Sequence, residues 1–280
     1  MEYIKSSLIF IKNNFLKMFC YAIAPAMLIA LLINPVSTFN FIISLPKEDY
    51  SRFGEIFVAM NNFGGWKFLI MAAIVVLSSI LISGELGLIH RKMYYGVDSD
   101  FSFKKFWAKV NNYVIPIFLT MVGLFVVVEL VMLLLSMFVF FWLRAKMVVT
   151  VILSVITAFV LFGILILGMT LVSLTLPNMT IRGYFPFKAV RNSAKTVAKN
   201  MWKVFIAFIL PLLVMIAPAC LINLISFPGD IILHYVTSCV FFIAMIMYYL
   251  VLCYVVFFDL EEMEREDIKE SKQGGYTNAN

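Results

Sequence analysis

"FPFKAVRNSAKTVAKNMWK", residues 185 to 203, lies between two long apolar runs, at 147 to 176 and 203 to 226. Phe187, Val190, Ala194, Val197 and Met201 recur at steps of three and four, so a helix here gathers them into one apolar stripe. Lys188, Arg191, Lys195 and Lys199 fall beside that stripe, and Pro186 suits a first turn, where its missing N–H costs nothing. A helix of this kind, tied at each end to an apolar run, is expected to lie where lipid meets water. Its cations then sit among anionic headgroups, at about 1 kcal/mol for each Lys or Arg. A soluble acidic partner docking on the same cations is the other reading. Nucleic acid is not expected, because the sequence offers neither a basic soluble face nor stacking aromatics away from the apolar runs.

Composition agrees with that placement. Of 280 residues 63% are hydrophobic and 14% charged, with a mean hydropathy of +0.98, where a soluble domain has roughly 25% charged residues. About 20 apolar residues cross the hydrocarbon of a bilayer. Six runs qualify, near 18 to 34, 66 to 89, 113 to 143, 147 to 176, 203 to 226 and 231 to 258. Lipid offers backbone groups no partner and no alternating barrel strands are present, so each run is expected to be helical. The expected fold is therefore all-α, a polytopic membrane domain over 1–258 with an acidic tail over 259–280.

Cations set the orientation. Of the 22 Lys and Arg, 17 fall on the side that holds the N-terminus, which places both termini in the cytoplasm. The first run opens after a charged start, yet Pro25 interrupts it and no small-residue cleavage site follows, so an uncleaved helix is expected rather than a signal peptide. Cys20, Cys220, Cys239 and Cys253 stand singly, without metal spacing, and read as small buried thiols.

Three places share a local pattern: "IKNNFLKMF" at 11 to 19, "AKVNNYVIPIF" at 108 to 118 and "VAKNMWKVFIAF" at 197 to 208. Each precedes an apolar run, which suggests three units of an interfacial helix followed by a hairpin. Residues 101 to 112 repeat the opening design, with Lys104, Lys105 and Lys109 beside Phe103, Phe106, Trp107 and Val110. Between 34 and 66, Phe53, Ile56, Phe57 and Met60 after Asp49 predict a short helix on the far side, either a passive cover or a gate. The third and fourth runs exceed the hydrocarbon thickness, so they either tilt or project. Acids from Glu261 to Glu270 give a solvated extension, or a latch against the basic helices.

Catalytic signatures are missing: there is no phosphate-cradling loop, no nucleophile elbow, and His90 and His234 are too few for a multi-histidine metal site. An enzyme is not expected, and no cofactor is implied. Glu85 and Glu129 lie inside apolar runs, where ionisable residues mark functional candidates. Glu85, near His90 and Arg91, is expected to anchor or pair locally. Glu129 is deeper, and if the third helix projects outward it rises toward His234 as a partner. Ala22, Ala26 and Ala30 face Ser79, Ser83 and Gly87 as a close helix contact. Pro25, Pro116, Pro211 and Pro218 predict kinks or hinges.

Pro177, Ala189, Ser193 and Asn200, a proline ending one span followed by an alanine, a serine four later and an asparagine before the next span, resemble a pattern in a group of bacterial six-helix membrane proteins. That group includes uncharacterised integral membrane families and the membrane domain fused to some glycerophosphodiester phosphodiesterases. The resemblance implies a six-helix topology over nearly the whole chain. The phosphodiesterase reaction is not carried over, because its metal-binding acids are missing. Relatives often have an acid soon after the proline, whereas residues 178 to 183 contain Arg182 and no acid.

The expected function is that of a permease-like or transport-accessory subunit of the bacterial cytoplasmic membrane, with lipid as partner and a second membrane protein or copy as a further one. The alternative is a non-transporting scaffold, immunity or envelope-stress protein. An intramembrane enzyme is the third reading.

Overall fold

The computed structural model describes residues 2–32, 53–61, 66–96, 103–144, positions 152, 156, 160, 163 and 164, and then 166–225 and 231–268. Among these the chain is all helical, and four helices are long and apolar enough to cross a membrane, or five if one bent pair is a single span. The helices are α1 (Glu2–Leu32), α2 (Phe53–Asn61), α3 (Trp66–Tyr95), α4 (Phe103–Arg144), α5 (Thr175–Thr180), α6 (Pro186–Lys199), α7 (Met201–Ile225) and α8 (Ile231–Leu260). Most of the run from 147 to 176 lies outside the described residues; its end forms an apolar helix, Ile166–Thr180, broken at Ser173 and Leu174.

α8 is the axis of the bundle. The Tyr3 hydroxyl donates to Asp259 at 2.7 Å and the Tyr235 hydroxyl donates to the Met27 carbonyl at 3.0 Å, so α1 and α8 run antiparallel in register over their whole length. Tyr249 reaches the Phe208 carbonyl at 2.5 Å, which sets α7 antiparallel to α8 on another side. Fully buried Tyr254, Phe257 and Phe258 pack with Met18, Leu86, Ile89 and Met93, so the densest packing lies at the end that holds the N-terminus. The small-residue contact forms as expected: Ala22, Ala26 and Ala30 are buried, as are Ser79 and Ser83, and α1 packs on α3.

The shared local pattern breaks the backbone twice. Asn14 takes φ −120° and ψ 16°, kinking α1, and Asn200 takes φ −128° and ψ 31° where α6 meets α7 at a bend of 100°. Asn14 steadies its break by donating to the Phe10 carbonyl at 2.9 Å. The kink in α1 therefore falls at Asn14 and not at Pro25. At the second copy α4 runs on unbroken from Phe103 to Arg144, so the separate interfacial helix expected over 101 to 112 is continuous with the span instead. At about 1.5 Å per residue its 42 residues exceed any bilayer. Its far end carries α2: Phe53 meets Phe140 edge to face at 6.0 Å, and Ile56 and Val139 form a second, small core. Asp49, expected to cap α2, lies outside the described residues.

Candidate functional site

α3 carries the polar centre of the bundle. Its 30 residues hold Ser78, Ser79, Ser83, Glu85 and His90, all buried by neighbours on α1, α4 and α8. Ser79 and Ser83 donate back to the carbonyls of Val75 and Ile80, as hydroxyls in apolar surroundings do. Glu85 is different: it is 0% exposed and neither carboxyl oxygen has a hydrogen-bond partner. Ser78, two turns earlier on the same face, also has an unpartnered hydroxyl. The local anchoring to His90 and Arg91 expected for Glu85 is not formed; five residues on, His90 points to another face of the helix. Among the described residues Glu85 is therefore the buried carboxyl, whereas Glu129 on α4 is half-buried.

His90 sits among four tyrosine rings. Its Nδ1 lies 2.7 Å from the Tyr113 hydroxyl, and its ring packs against Tyr94 at 5.4 Å, Tyr95 at 5.8 Å, Tyr113 at 5.6 Å and Tyr254 at 6.2 Å. Its Nε2 is buried without a partner. The Tyr254 hydroxyl is 2.5 Å from Thr180 Oγ1, which ties the cage to α5. The sequence signal for this cage was "IHRKMYY" at 89 to 95, where Tyr94 falls one turn after His90 and returns to its face.

The deep pair expected between Glu129 and His234 is not brought together. α4 packs on α2, α3 and α5, whereas the first turns of α8 lie against the last turns of α1, and no hydrogen bond joins the two among the described residues. His234 is itself buried.

At the same end, α6 has three faces rather than two. Ala189, Ser193 and Val197 are buried against the helix ending at Thr180, and Thr196 donates to Glu261 at 3.1 Å. Phe187 is 93% exposed and Val190 is also exposed, while Ala194 is partly covered. Lys188, Arg191, Lys195 and Lys199 occupy the third face, all exposed. The predicted apolar stripe is thus split: Val197 turns inward because Ala189 and Ser193, too small to hold α6 away, let it approach closely. Exposed Phe185 and Trp202, at 83% and 71%, flank the helix. The side chains of Lys104, Lys105 and Lys109 lie outside the described residues.

Two of the four residues of the resemblance, Ala189 and Ser193, are buried in the seat of α6. The Ser193 hydroxyl donates to the Leu171 carbonyl at 2.7 Å and accepts from Leu174 N at 3.0 Å, Asn192 donates to Asn178 at 2.8 Å, and Asn178 donates to the Leu174 carbonyl at 2.9 Å. Arg182, after Pro177, pairs with Glu261 and stacks over Tyr184 and Phe257 at 5.9 and 5.8 Å. The first residues of the acidic tail are thereby docked, with Glu262 at φ 53° turning the chain. Among the described residues no group of three or more His, Cys, Asp or Glu could hold a metal. Of the thiols, Cys239 is buried, whereas Cys20 is exposed.

No protein-family pattern, curated protein or solved structure matches this chain. What fold and site define is a class: an all-helical chain whose long apolar helices suit a multi-pass membrane protein.

Proposed function

We propose that this is a six-span protein of the bacterial cytoplasmic membrane, both termini cytoplasmic, with permease-like or transport-accessory work centred on Glu85. The six spans are α1, α3, α4, the run from 147 to 176, α7 and α8, and α6 rests in the cytoplasmic interface with Phe187 toward lipid and its lysines toward anionic headgroups. The supporting observation is the Glu85 carboxyl, sealed in the bundle with both oxygens unpartnered. An acid at the centre of a membrane helix costs about 2.5 to 3.5 kcal/mol, and an unmade hydrogen bond adds to that. A group that brings such a cost without a structural return is one that binds something in passing, here a proton or a small cation. His90, whose Nδ1 shares a hydrogen bond with the Tyr113 hydroxyl and whose Nε2 is unpartnered, is the next titratable side chain along α3.

Proton and potassium fluxes in sealed proteoliposomes test this. Wild type should exceed empty vesicles, Glu85→Gln should fall to their level, and Glu129→Gln should retain flux. Wild-type flux equal to that of empty vesicles, or undiminished in Glu85→Gln, defeats the reading.

A non-transporting scaffold is the second reading, favoured by the exposed face of Phe185, Phe187 and Trp202 beside the α6 cations. Copurification of one stoichiometric membrane protein, lost in Phe187→Ser, would support it.

A further inference from the structure

We infer that the groove between α1 and α7 holds one anionic glycerophospholipid, its phosphate between Lys5 and Lys12 and an acyl chain against Leu8, Ile9 and Leu210. These residues, with Glu2 and Ile4, line a groove of about 560 Å³ whose walls are almost wholly apolar, within the range of small-ligand sites. It exists because α1 and α7 both pack on α8 and barely touch each other, leaving α8 behind the gap. The inference rests on the membrane reading above.

Lys5 and Lys12 stand two turns apart on one helical face, about 10 Å in rise, with Leu8 and Ile9 between them. Both are exposed, and among the described residues neither makes an ion pair or hydrogen bond, whereas Lys17 farther along has a partner. Two free cations therefore face one acid, Glu2, at the rim. Depth agrees. The Tyr3–Asp259 and Tyr249–Phe208 bonds fix both helices on α8, so that Leu8 and the start of α7 at Met201 stand roughly level with Tyr254. The interfacial helix α6 ends one residue before Met201 at Asn200, so Lys5 reaches headgroup depth while Leu210 lies within hydrocarbon. A lysine can extend its apolar stem along such a wall and keep its ammonium at the surface.

The test is native mass spectrometry of the full chain in detergent, titrated with dioleoyl phosphatidylglycerol or dioleoyl phosphatidylcholine. Wild type should bind one phosphatidylglycerol about thirtyfold more tightly than phosphatidylcholine, as two lysines at about 1 kcal/mol each imply. Lys5→Gln/Lys12→Gln should bring the two lipids to near parity, and Leu8→Trp should weaken both by filling the groove. Thermal unfolding of each variant establishes that it is folded. Equal binding of the two lipids by wild type, a preference that survives in Lys5→Gln/Lys12→Gln, or displacement by millimolar inorganic phosphate overturns the site. A chain that lacks the preference yet still fractionates with membranes removes the lipid site and leaves the membrane reading standing.

Discussion

The Ser193 hydroxyl oxygen lies 3.0 Å from Leu174 N and takes the hydrogen bond that the interrupted helix cannot supply there. At the break, Ser173 N turns back to the Thr170 carbonyl, which would otherwise have served Leu174. A side chain nineteen positions later closes the gap, and α6 is fixed to the bundle by the same atom.

Ser193→Ala should therefore cost about 1 to 3 kcal/mol, because it orphans a buried backbone N–H. Thermal unfolding in detergent reads this directly. Ala189→Leu should cost at least as much, since α6 has no room for a larger residue at that buried point. A neutral Ser193→Ala would mean that α6 is not seated as described.

Glu85 should behave oppositely. Replacing an unpartnered buried carboxyl by a leucine of similar volume removes an unsatisfied polar group, so Glu85→Leu should raise the unfolding temperature. Flux, in contrast, should disappear, because a residue retained against stability is retained for work. A variant that loses both stability and flux would mark Glu85 as structural.

The pair of Arg182 and Glu261 is partly exposed, with side chains 32% and 15% accessible, so a double-mutant cycle should give a coupling of about 0.5 to 1 kcal/mol, weakening with salt. Arg182→Gln should also release the tail to limited proteolysis beyond Glu261. Unchanged cleavage would show that the docking at Thr196 suffices alone.

Tyr113→Phe removes the partner that His90 Nδ1 has among the described residues and should cost about 1 kcal/mol. The imidazole, no longer fixed in its cage, should react faster with diethyl pyrocarbonate. Unaltered reactivity would show that the surrounding rings hold His90 without that bond.

Four of the six apolar runs were legible as long apolar helices because hydrocarbon imposes one rule on every span, and the contact of Ala22, Ala26 and Ala30 with Ser79 and Ser83 was legible because small residues at spacing four have one use. The place of the helix breaks was visible only as a repeated asparagine: Asn14 and Asn200 break the helix, whereas α4 passes through Asn111 and Asn112, and local pattern does not distinguish the cases. Burial was the least legible quantity. Glu85 looked shallow by its distance from His90 and Arg91, but its depth in the bundle is set by which helices surround it. Glu129 and His234 were paired on an assumed depth, and the helices that carry them pack mainly on different neighbours. The cage around His90 needed Tyr113 and Tyr254, remote in sequence and brought in by α4 and α8.

The central claim is that hydrocarbon is the solvent of this bundle and that the α6 cations face the cell interior. Single cysteines at Lys195 on α6 and at Glu55 on α2, in a chain whose Cys20, Cys220, Cys239 and Cys253 are replaced by serine, can be probed in intact cells with a membrane-impermeant maleimide. Glu55→Cys should label at once and Lys195→Cys only after permeabilisation; labelling of Lys195→Cys in intact cells, or equal access to both positions, contradicts it.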